Sequence, residues 1–166
     1  MKMIKLSDGR KVSIEEAKQI LFKAYTKFHE MDGLPVKSKA RGFSEIAGMI
    51  PGWRVIGITK AALEKFQKLD YKRPPGRGPD GVNRAHKYSR LETGVIAFEN
   101  PIRDYDKFWD FWLKRDITVL ATVNENYPKE SEVIAYEVPE DLGLFEAYGY
   151  SYRVEDKEVE FLRSLR

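Results

Sequence analysis

Between Asp70 and Gly81 the sequence places Pro74, Pro75, Gly76, Gly78, Pro79 and Gly81 within twelve residues. That density excludes a helix or an interior strand, because proline has no amide to donate and glycine loses the most backbone freedom on ordering. A long irregular connection must therefore interrupt the regular structure near the middle of the chain. Charge gathers around it. From Lys72 to Arg90 six bases (Lys72, Arg73, Arg77, Arg84, Lys87 and Arg90) stand against Asp80 alone, a net +5 in a chain whose formal total is +3. The remainder is slightly acidic, and so uneven a distribution points to an anionic partner, most often phosphate. GRGPDG itself lacks the Gly-Lys-Ser/Thr end of a P-loop and the strand-to-helix spacing of a dinucleotide fingerprint, which disfavours both of those modes.

At 166 residues, 42% hydrophobic and 33% charged, the chain can bury a core without staples, and one domain is expected. The absence of cysteine excludes disulfides, thiolate nucleophiles and sulfur-ligated zinc, leaving His29 and His86 as imidazole ligands. No apolar run approaches the roughly 20 residues that span a bilayer, and the opening MKMIKLSDGRKVS lacks a signal-peptide core. A cytoplasmic protein with no membrane partner is the expectation.

In chain order, Met3 to Leu6 and Arg10 to Val12 flank an Asp-Gly turn and predict a hairpin. Ser13 and Glu16 have capping-box spacing, and Ile14, Ala17, Leu21, Ala24 and Phe28 form the stripe of a helix that Gly33 can terminate, with His29 near its end. Leu34 to Gly42 reads as an exposed loop carrying a second basic cluster, Lys37, Lys39 and Arg41, before a short helix capped by Ser44. Trp53 to Ile58 predicts a strand, and Thr59 the cap of a helix carrying Ala62, Leu63, Phe66 and Leu69. The apolar end of Leu91 to Phe98, LETGVIAF, reads as a strand. Asp104 caps a helix with an aromatic stripe at 105, 108, 109 and 112, leaving Phe111 to another contact. Ile117 to Val123 predicts the central strand, Glu132 to Val138 a neighbour, Tyr148 to Arg153 an aromatic strand, and Val159 and Leu162 a final helix. The class expected is α+β, a mixed, largely antiparallel sheet with packed helices in one domain.

The chemistry centres on Asn83 to Lys87, NRAHK. Phosphodiester hydrolysis needs a base to activate water and a cation to hold phosphate. His86 is the candidate base, and Arg84 and Arg90 the candidate clamps. Asn100, Asp104 and Glu125 offer hard oxygen ligands for Mg²⁺ or Mn²⁺, although Asn124-Glu125-Asn126 also reads as ordinary turn chemistry. Lys37, Lys39, Arg41, Lys72, Arg73, Arg77, Lys87 and Tyr88 are candidate nucleic-acid contacts. The Arg84-Ala85-His86 triplet, with a strand expected after it and Asn100 near a helix start, resembles the ββα-metal (His-Me finger) nucleases. That resemblance implies a general-base role for His86 and metal binding at Asn100. A PD-(D/E)xK arrangement ranks lower, because no Glu-x-Lys or Asp-x-Lys follows Asp80 on a strand. Three functions fit these residues. One is a nucleic-acid-binding protein, in its sharper form a metal-dependent DNA or RNA endonuclease. The second is a non-enzymatic regulatory module whose basic loop binds an acidic protein partner. The third is an enzyme acting on a small phosphorylated or anionic substrate.

Overall fold

The computed structural model describes residues 3–5, 9–48, 54–125, 134–148 and 151–165. Its elements in chain order are β1 (Met3–Lys5), β2 (Lys11–Ser13), α1 (Ile14–Glu30), α2 (Val36–Ala47), β3 (Arg54–Ile58), α3 (Lys60–Lys68), β4 (Val82–His86), α4 (Arg90–Glu99), α5 (Tyr105–Arg115), β5 (Ile117–Thr122), β6 (Tyr136–Glu137), β7 (Ala147–Tyr148), β8 (Ser151–Tyr152) and α6 (Asp156–Ser164). The class is α+β, with a mixed four-stranded sheet. The chain divides into two compact units, one of Met1–Pro51 with Tyr88–Arg115, the other of Gly52–Lys87 with Asp116–Arg166. No helix among the described residues is long and apolar enough to cross a membrane.

The first unit is helical apart from the antiparallel β1–β2 pair. Its α1 begins as expected, with Ser13 Oγ accepting from the Glu16 amide at 3.1 Å, and buries Ala17, Leu21 and Tyr25 at intervals of four. Two expectations fail here. The stretch 36–47, which holds most of the expected exposed loop, is helix α2, burying Ala40, Phe43 and Ala47 at i, i+3 and i+7. Ser44 is interior to it and donates back to the Ala40 carbonyl. Leu91 to Phe98 is not a strand but most of α4, started by Ser89 Oγ accepting from the Glu92 amide at 3.0 Å. Two glycines inside these helices permit close packing. A Cβ on Gly42 would lie 2.9 Å from the Phe28 ring, and one on Gly94 would lie 3.1 Å from Ala40 Cβ.

Aromatic side chains fill this core. Phe108 packs 4.5 Å from Tyr25 and 5.8 Å from Trp112, centroid to centroid, and Phe111 packs partly buried against the same cluster. Tyr25 is buried, and its hydroxyl donates to the Ala97 carbonyl at 2.7 Å and accepts from the Ile102 amide at 3.0 Å. Burial raises its pKa, because the phenolate has lost water.

In the second unit the sheet order is β4-β5-β3-β6. β5 is buried along its whole length, the central position its apolar sequence predicts, with β4 antiparallel on one side and β3 parallel on the other. β6 adds antiparallel to β3 through Tyr136 and Glu137, while residues 126–133, including the first part of the strand expected from Glu132, lie outside the described set. Val55, Ile58, Leu63, Phe66, Val82, Leu120, Phe145, Tyr152 and Leu162 form this unit's core. Thr59 caps α3, accepting from the Ala62 amide at 3.1 Å.

Candidate functional site

β4 carries Arg84 and His86 two residues apart, so both side chains leave the same face of the sheet. Their register partners on β5 are Leu120 and Thr118. At the Val82 end that face is apolar core; at the His86 end it is polar. There His86 Nε2 lies 3.4 Å from Asp116 Oδ1 and 3.4 Å from Arg84 Nη1. Asp116 immediately precedes β5, its carbonyl accepts from the Arg54 amide at 3.2 Å, and its side chain is only 3% exposed against 27% for His86. Removing a carboxylate this far from water costs several kcal/mol unless charged or donor groups face it. The imidazole is such a group.

Nε2 cannot donate to Asp116 and accept from Arg84 at once. A proton on Nε2 gives a charge-assisted contact to the carboxylate and leaves the lone pair on Nδ1.

The Pro/Gly-rich connection is irregular, as its composition requires, but it is tied down. The Val82 amide donates to the Pro75 carbonyl at 2.9 Å and the Gly81 amide to the Gly78 carbonyl at 3.0 Å. Asp80 Oδ1 accepts from Lys65 Nζ at 2.8 Å and Lys68 Nζ at 3.2 Å, both on α3. These hydrogen bonds, Lys65 first, hold the Asp80 carboxyl below its ordinary pKa. The single acid of the basic stretch is thus neutralised within the fold, while Lys72, Arg73 and Arg77 stay exposed. Arg73 also lines a pocket of about 300 Å³ with Tyr148, Tyr152, Arg153, Val154 and Glu155.

The candidates named from sequence divide between the two units. Arg84, His86, Lys72, Arg73, Arg77, Lys87 and Glu125 belong to the second unit, and Lys37, Lys39, Arg41, Tyr88, Arg90, Asn100 and Asp104 to the first. Lys37 and Arg41 are exposed on α2 rather than on a loop, and Lys39 Nζ donates to the His29 carbonyl at 3.0 Å, closing the end of α1. The Arg115 guanidinium lies 4.3 Å from the Tyr88 ring centroid.

The oxygen ligands named from sequence have local partners. Asp104 Oδ1 accepts from the Lys107 amide at 2.8 Å as the α5 cap, and Asn100 Nδ2 approaches the Ile96 carbonyl at 3.4 Å. Glu125 Oε2 accepts from Thr59 Oγ1, the Thr122 amide and Thr122 Oγ1 at 2.8, 2.8 and 2.9 Å, which joins the end of β5 to the start of α3. Among the described residues no three His, Asp or Glu side chains converge as a metal set. The strand that the ββα arrangement needs after His86 is absent, since the next element is α4.

Sequence reasoning missed Asp116, although a lone acid abutting the most apolar strand of the chain is a legible signal. It also missed Lys65 and Lys68 as partners of Asp80, and Arg153 with Tyr148 as pocket walls, which only the tertiary fold assembles. No family model, curated protein or solved structure matches this chain.

Proposed function

We propose that the second unit binds nucleic acid through Lys72, Arg73 and Arg77 and hydrolyses a phosphodiester at Arg84, His86 and Asp116. The observation that carries this reading is a half-buried imidazole held 3.4 Å from a carboxylate that is 3% exposed, with an arginine at 3.4 Å from the same ring. A histidine on a sheet face does not by itself suggest catalysis; one oriented by a buried acid has the geometry of a general base.

In the proposed step Nδ1 takes a proton from water as the water oxygen attacks phosphorus. The bond from phosphorus to one ester oxygen breaks, and that oxygen takes a proton from solvent. The imidazolium then releases its proton to water. Asp116 and a phosphate held by Arg84 stand opposite in charge to the imidazolium formed in the step and stabilise it there.

Binding is tested by salt titration. Three loop cations on phosphates give a log-log slope of affinity against salt of about −3, and the double variant Arg73→Ala, Arg77→Ala reduces it to about −1. Absence of any shift of DNA or RNA at low salt would contradict the reading.

A further inference from the structure

The β7–β8 hairpin and the start of the basic connection meet at the Arg73 pocket, which the hydrolytic group does not use. Its walls combine two guanidiniums with an aromatic ring. Tyr148 remains 59% exposed, unusual for a large aromatic side chain, and the Arg153 guanidinium lies 5.2 Å from its ring centroid. Arg153 is positioned by its own amide, which donates to the Glu146 carbonyl at 2.8 Å. The floor is rigid, because Tyr152 is 1% exposed and its hydroxyl donates to the Val82 carbonyl at 3.0 Å. Glu155 supplies one acid, 3.5 Å from Arg153, so two arginines against one carboxylate leave the pocket cationic.

An exposed ring beside forked donors suits a ligand that carries both a π-face and a phosphate. The volume of about 300 Å³ stands at the lower end of small-ligand sites, enough for one nucleotide but not for a length of duplex. We infer that this pocket takes one unpaired nucleotide of a single strand, its base on Tyr148 and its phosphate between Arg73 and Arg153. The inference rests on the nucleic-acid reading above and adds to it a preference for single strands. Stacking on an aromatic residue tolerates any base, so the site selects strandedness rather than sequence.

The test is fluorescence anisotropy with a labelled single-stranded deoxyadenylate oligonucleotide and with a duplex of the same length. The wild type should prefer the single strand. Tyr148→Ala should weaken single-strand binding about tenfold while leaving duplex binding and the thermal transition unchanged, and Tyr148→Phe should bind as wild type. Equal single-strand affinity for wild type and Tyr148→Ala overturns the pocket assignment and leaves the nucleic-acid reading standing. A wild type that binds neither polymer overturns both. AMP binding lost in Tyr148→Ala, with oligonucleotide affinity unchanged, reassigns the pocket to a free nucleotide and overturns the strand assignment.

Discussion

The two units bury different chemistry. The first packs Tyr25, Phe43, Phe108, Trp109 and Trp112 against one another, and Thr93 is its one fully buried polar residue among those described; the second buries Thr59, Asp116, Thr118, Thr122 and Glu158 alongside its apolar core. An aromatic interior gains stability from area and ring contacts and asks for few hydrogen bonds. A buried carboxylate must instead be matched donor by donor. Glu158 shows the requirement. Fully buried, it accepts from the Phe145 amide at 3.0 Å and the Glu155 amide at 2.8 Å, which holds Phe145 at a φ of +55°. Asp116 resembles it in burial but lies against a partly exposed histidine, whereas Glu158 is met by two backbone amides and, at 3.8 Å, by Lys157 Nζ. The difference is why the proposed chemistry is assigned to the second unit.

The contrast can be broken at several points. Phe108→Ala, at the centre of the aromatic cluster, should cost about 3–5 kcal/mol in urea denaturation followed by tryptophan fluorescence; a loss below 1 kcal/mol would mean that the rings are not the principal support. Glu158→Ala removes the acceptor of the buried Phe145 amide and of the partly buried Glu155 amide and should cost about 2–4 kcal/mol, with Glu158→Gln roughly half as damaging because one acceptor oxygen survives. If the alanine and glutamine variants unfolded together, the donor-matching account of this unit would fail. The smallest effect belongs to Asp80. Its folded pKa is depressed, so its contribution is fully present above the ordinary carboxylate value of 3.8 and is lost as pH falls through the lower folded value. Asp80→Asn should abolish that acid dependence and speed tryptic cleavage at Lys72 and Arg77. Unchanged cleavage would show that the backbone bonds alone hold the connection.

Local signals carried much of the fold. Ser13 with Glu16, Thr59, Asp104 and the apolar run Ile117–Thr122 act through neighbours in sequence, and each produced the element it predicts. The helices α2 and α4 were not legible: each carries a glycine, Gly42 or Gly94, needed where Phe28 or Ala40 approaches too closely for a side chain, and that requirement exists only after packing. The candidate site divides in the same way. Arg84 and His86 lie two apart in sequence and could be paired by strand periodicity. Asp116 is thirty residues from His86 and reaches it only through the β4–β5 register, in which His86 pairs with Thr118.

The most direct measurement is cleavage of plasmid DNA and single-stranded RNA, with Mg²⁺ or Mn²⁺ present, by wild type, His86→Ala and Asp116→Asn. The account predicts cutting by the wild type, a loss of about 10²–10⁴-fold in His86→Ala and an intermediate loss in Asp116→Asn, with all three retaining their affinity for the polymer. Equal cutting by wild type and His86→Ala, or no cutting by a wild type that binds, would contradict it.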